Sequence, residues 1–98
     1  MTIDFHQNGT ALEIIPEGRI DTVTAPELDS FIQQHLPGVT ELTLNFKGVA
    51  YVSSAGLRAI LAAQKAMNRQ GSMRVTNVCE NVMEVFDITG FVDILTIE

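Results

Sequence analysis

Tyr51-Val52-Ser53-Ser54-Ala55-Gly56-Leu57-Arg58 places two adjacent hydroxyls where an apolar strand gives way to an amphipathic helix. The first turn of a helix presents unpaired N–H groups and a partial positive charge, so a phosphate ester is at home there. A serine at that point is therefore a place where a regulatory charge can be written. The competing structural role is plainer: Ser53 or Ser54 caps the helix, as serine commonly does. From Ser54 onward, at 100° per residue, Arg58, Lys65 and Arg69 fall within roughly a sixth of a turn of its direction. Leu57, Ile60, Leu61 and Met67 fall on the other side. The pattern predicts a basic stripe that starts beside the serines and suits an acidic partner surface.

The other reactive residues form no catalytic set. His6 and His35 are isolated in sequence, and no Gly-rich phosphate loop occurs. Ser54 lacks the Gly-x-Ser-x-Gly elbow of a nucleophilic serine. Cys79 is alone, with neither a disulfide partner nor metal-ligand spacing to a second Cys or His. These features predict a binding protein rather than an enzyme, with no metal and no cofactor. A single reduced cysteine fits the cytoplasm. The formal charge of -6 argues against nucleic acid or an acidic membrane as partner. No apolar run reaches membrane-spanning length, and Met1-Thr2-Ile3-Asp4-Phe5 does not read as a secretory signal.

The elements that must position these residues follow from periodicity. Ninety-eight residues predict one domain, 1–98. Ile3 to Gln7 alternates, Asn8-Gly9 turns, and Ala11-Leu12-Glu13-Ile14-Ile15 resumes as a second strand. Gly18-Arg19-Ile20-Asp21 leads into a helix, with Thr24 as N-cap, Glu27 as its capping-box partner and Pro26 in the first turn. Leu28, Phe31, Ile32 and His35 share one face, and Pro37-Gly38 ends that helix. A strand over 41–46 precedes a loop, Lys47-Gly48-Val49-Ala50, and then the serine helix, closed by Gly71. A short strand over 73–76 is followed by a helix that Asn77 would cap. That helix buries Val82, Val85 and Phe86, exposes Glu80, Glu84 and Asp87, and stops at Thr89-Gly90. Ile94-Leu95-Thr96-Ile97 reads as a last strand. The order β-β-α-β-α-β-α-β predicts an α/β fold with a mainly parallel central sheet and an antiparallel N-terminal edge. The Asp21 turn and the Ser53-Ser54 turn then lie together at the carboxyl ends of the strands.

These residues resemble those of a STAS domain of the anti-sigma factor antagonist family, over nearly the whole chain. Gly18-Arg19-Ile20-Asp21 with Thr24-Ala25-Pro26-Glu27-Leu28 resembles the family's first block. Leu42-Thr43-Leu44-Asn45-Phe46, Val49 and the segment 51–58 resemble its signature, and Phe86-Asp87-Ile88-Thr89-Gly90-Phe91 its closing helix and turn. The resemblance implies a partner switch. The unmodified protein binds an anti-sigma factor that is also a serine protein kinase, and phosphorylation of a loop serine releases it. A PP2C-type phosphatase resets the protein. Counting back from Gly56-Leu57, the modified serine falls on Ser54, with Ser53 as the alternative because it stands where the family carries aspartate. The partner surface implied comprises Asp21, Thr22, Ser53, Ser54, Gly56, Arg58 and Lys65. Two rivals remain. One is a constitutive STAS subunit of a transport or stress-sensing complex. The other is a small-molecule binder that uses the Asp21 and Ser54 loops.

Overall fold

The computed structural model describes residues Met1–Glu98. Strand β1 (Thr2–Asn8) turns through Gly9-Thr10 into β2 (Ala11–Ile20), and the two pair antiparallel. Helix α1 (Ala25–His35) returns the chain to β3 (Glu41–Asn45). Strand β4 (Gly48–Val52) follows at once, and helix α2 (Ser54–Asn68) leads to β5 (Ser72–Thr76). Helix α3 (Glu80–Thr89) and a 3-10 turn (Phe91–Asp93) complete the chain. The sheet runs β1-β2-β3-β5, and β4 pairs with the far half of β2. All pairings other than β1–β2 are parallel. The α/β class and the antiparallel N-terminal edge are as the sequence predicts.

Alternation sets the sheet's two faces. Leu12, Ile14, Leu42, Leu44, Met73 and Val75 point into one 22-residue core, which also holds Leu28 and Ile32 of α1 and Leu57, Ile60, Ala63 and Met67 of α2. Burying side chains of this size contributes roughly 1.5–3 kcal/mol each. On the other face a polar row, His6, Glu13, Thr43 and Arg74, crosses four strands in register.

Four local expectations change. The stretch 47–50 is not simply a loop, because Gly48 onward continues as β4. Ala50 is a surplus residue there: Gly18 pairs with Val49 but Arg19 pairs with Tyr51. A bulge breaks the period of two that betrays a strand in sequence. The predicted last strand shrinks to one parallel bridge, Val75 with Ile97, because the chain first winds through the 3-10 turn that buries Leu95. Asn77 does not cap α3. It takes a left-handed φ of 56° and gives its side-chain amide to Asn45 Oδ1 at 2.9 Å, leaving Cys79 at the cap. Thr24 makes no cap bond either. Asp21 takes that role three residues earlier, and its carbonyl already accepts from Ala25 N at 2.8 Å.

Candidate functional site

The site is the rim where β2 and β4 end and α2 begins. Ile20 O accepts from Ser53 N at 2.8 Å, so the Asp21 turn and the serine pair leave the sheet side by side. Gly56 makes this possible. A Cβ there would lie 2.7 Å from Ile20 Cγ2, 2.9 Å from Val52 Cγ1 and 3.0 Å from Ile20 O. Gly56 is buried, so its place is in the packing beneath the rim and not on the contact surface expected for it.

The two serines have different roles. Ser53 is the N-cap of α2: its backbone is extended, its Oγ accepts from Gly56 N at 3.3 Å and its carbonyl accepts from Leu57 N at 2.9 Å. Ser54 is the first helical residue, exposed, with no side-chain hydrogen bond. The first turn of α2 contains no acidic side chain. Arg58, one turn on, is exposed, as are Lys65 and Arg69 further along. The basic stripe therefore faces solvent, while Leu57, Ile60 and Met67 are buried beneath it.

Asp21 organises the neighbouring turn. Its Oδ1 accepts from Val23 N and Thr24 N, both at 3.0 Å, and lies 3.1 Å from Thr24 Oγ1. Thr24 Oγ1 in turn accepts from Asp21 N at 2.9 Å and lies within reach of the Arg19 carbonyl. The Thr24 amide, and less strongly that of Val23, holds the Asp21 carboxyl below its ordinary pKa against partial desolvation; the Thr24 hydroxyl and the charge of Arg19 add to the effect. Thr22 is exposed at the tip of the turn.

Three further residues stand at this rim that the serine motif does not point to. Arg19 lies with its guanidinium carbon 4.0 Å from the Tyr51 ring centroid and its Nε 3.8 Å from Asp21 Oδ2. The two are 32 positions apart in sequence, and only the shifted β2–β4 register brings them together. Val23 is 85% exposed. Its signal in the sequence is a bare aliphatic between a capping aspartate and a threonine.

Elsewhere, the histidines stay apart from the serines. His6 is on the exposed edge strand, and His35 stacks on Phe31 at 4.1 Å with Nδ1 2.7 Å from the Phe31 carbonyl. No three His, Cys, Asp or Glu side chains converge to hold a metal ion. A depression of about 340 Å³ lies over the polar row of the sheet, lined by His6, Glu13, Thr43 and Arg74 among others. A smaller one of about 270 Å³, between α1 and α2, is lined by Ala25, Pro26, Asp29, Ala55, Arg58 and Ala59. No helix is long and apolar enough to cross a membrane.

The strand-end rim of this α/β sheet thus carries a capping serine, a free serine and an aspartate turn. The STAS domain family model matches residues 2–98, and the chain belongs to that family. Among its relatives, the anti-sigma-B factor antagonist of Bacillus subtilis is 31% identical over 98 residues, spanning 99% of this chain and 90% of the relative. The anti-sigma-B factor antagonist of Listeria monocytogenes is 29% identical over 90 residues, spanning 89% and 78%. Solved structures share the fold. An anti-sigma factor antagonist from Mycobacterium paratuberculosis superposes with a TM-score of 0.88 at 20% identity, covering 98% of this chain and 83% of that one. The Bacillus antagonist SpoIIAA, unphosphorylated, gives 0.85 at 17% identity, covering 99% and 88%. In its phosphorylated form it gives 0.76 at 16% identity, covering 99% and 91%.

Proposed function

We propose that this chain is an anti-sigma factor antagonist that works by partner switching, with Ser54 as the switch residue. In this reading the unmodified rim binds an anti-sigma factor that is also a serine protein kinase. The kinase phosphorylates Ser54 and the complex comes apart. A PP2C-type phosphatase restores the binding form. The work is done by surface electrostatics in the cytoplasm, with no reaction catalysed by the chain itself.

The observation that carries this reading is the asymmetry of the serine pair. Ser54 offers a free, exposed hydroxyl at the first position of α2, while Ser53 is tied into the cap. A phosphoserine adds roughly -1.5 to -2 charges. At Ser54 the helix N-terminus and Arg58 tolerate that charge, so the fold stays as it is. Against an acidic partner surface the same charge must be desolvated and is repelled, and each 1.4 kcal/mol lost is about tenfold in affinity. The names of the relatives support the antagonist role, and a fold neighbour solved in both phosphorylated and unphosphorylated forms supports the switch.

The test is phosphosite mapping together with calorimetric titration of the wild type, Ser54→Ala and Ser54→Asp against the anti-sigma factor kinase of the same genome. Ser54→Ala is expected to bind, and to stay bound when ATP is added. Ser54→Asp is expected to bind at least tenfold more weakly. Phosphate found only on Ser53 moves the switch to the cap. No phosphate and equal binding by all three proteins would favour a constitutive STAS subunit.

A further inference from the structure

Val23 is an aliphatic side chain held out in water on a turn that cannot relax around it. It is 85% exposed, and the Val23 and Thr24 amides are both tied to Asp21 Oδ1. Thr24 locks the base of the same turn to Asp21 N and the Arg19 carbonyl. Single exposed aliphatics are common and by themselves mean little. This one stands on the turn that leaves β2 at Ile20, whose carbonyl holds Ser53. Three residues on, Pro26 is exposed, and with the half-buried Ala55 it lines the groove between α1 and α2. Arg58 at the edge of that groove, and Lys65 further along α2, are exposed and form no ion pair, although the chain as a whole is acidic.

We infer that Val23 is the apolar anchor of the partner contact, seated in an apolar socket of the anti-sigma factor whose rim carries acidic side chains opposite Arg58 and Lys65. The inference rests on the function proposed above and gives that partner a surface. Its physical basis is preorganisation. A β-branched side chain on a turn already fixed by hydrogen bonds loses little conformational freedom when it docks. A few central residues, fully desolvated and ringed by contacts that exclude water, carry most of the affinity of an interface. Acidic residues beside the socket explain both halves of the switch. They attract Arg58 and Lys65 while Ser54 is bare, and they repel the phosphate once it is added.

The experiment uses the full chain and the purified anti-sigma factor kinase of the same genome. Val23→Ser keeps the backbone bonds of the turn and removes the apolar anchor, and Val23→Ile restores it. Val23→Ser is expected to weaken binding about 30-fold, the loss typical of a central anchor. It raises KM for Ser54 phosphorylation and leaves kcat unchanged, while its melting curve matches the wild type. Val23→Ile binds within about threefold of the wild type, under the 1.4 kcal/mol that makes tenfold. Wild type and Val23→Ser binding equally well overturns the anchor and leaves the proposed function standing. A wild type that does not bind the kinase at all overturns both. A concentration-dependent dimer of the chain that Val23→Ser abolishes assigns the surface to a second copy and overturns the inference too.

Discussion

Gly56 lies so close to Ile20 that a Cβ on it would sit 2.7 Å from the Ile20 side chain and 3.0 Å from its carbonyl oxygen. That carbonyl is the one that holds Ser53 N, so the fit of one glycine against one isoleucine sets where the serine pair leaves the sheet.

Gly56→Ala is therefore expected to destabilise the protein by about 1–3 kcal/mol, the range for overpacking a tight contact. Helix propensity pulls the other way by roughly 1 kcal/mol, so a net stabilisation in urea unfolding would show that α2 yields easily. The Ser53 amide is expected to lose hydrogen-exchange protection in the variant.

The serines separate by stability as well as by chemistry. Ser53→Ala removes a helix cap and is expected to cost about 1 kcal/mol. Ser54→Ala touches no hydrogen bond and should stay within about 0.5 kcal/mol of the wild type. Equal losses in denaturant titrations would mean that both hydroxyls serve the cap.

A negative charge at Ser54 should strengthen the isolated protein even as it weakens binding. Ser54→Asp is expected to gain about 0.3–1 kcal/mol from the helix N-terminus, and to lose most of that gain in high salt. A lower melting temperature at low salt would count against Arg58 and the α2 N-terminus as hosts for the phosphate.

Asp21 gives the turn an acid limit. Its folded-state pKa lies below the ordinary 3.8, so the folded state favours the ionised form. The stabilisation is complete above about 3.8 and fades as pH falls through the lower folded value. Asp21→Asn is expected to flatten that part of the acid-unfolding curve and to quicken exchange of the Val23 and Thr24 amides at neutral pH. An unchanged acid limb would place the loss of stability on other carboxylates.

Much of the fold and of the rim is legible in the sequence alone. The alternation of Leu42 and Leu44 set the β3 face, and the rotation of Arg58, Lys65 and Arg69 about α2 gave the stripe. What stayed hidden depends on pairing between distant segments. Arg19 meets Tyr51 only because the β2–β4 register shifts by one. The sequence context of Asn77 fits a cap, yet Asn45, 32 residues away, claims its side chain. Thr24 makes no cap for a local reason: its hydroxyl is committed to the Asp21 amide and the Arg19 carbonyl, and Pro26 offers it no N–H. Residue types identify the serine pair and the motif count favours Ser54; the hydrogen bonds add that Ser53 is the one tied into the cap.

The surplus residue Ala50 has a consequence of its own. A strand has two sides, and one extra residue would turn over everything after it unless the ladder took it up. The bulge does so here: Val52 still points inward and Tyr51 still lies across from Arg19. Removing Ala50 would leave Val49, Tyr51 and Val52 facing Gly18, Arg19 and Ile20 in unbroken register, with Ser53 still in step with Ile20. In this fold the place of the serine pair is thus set by what it pairs with on β2, and one residue more or less just ahead of it can be absorbed without moving the switch.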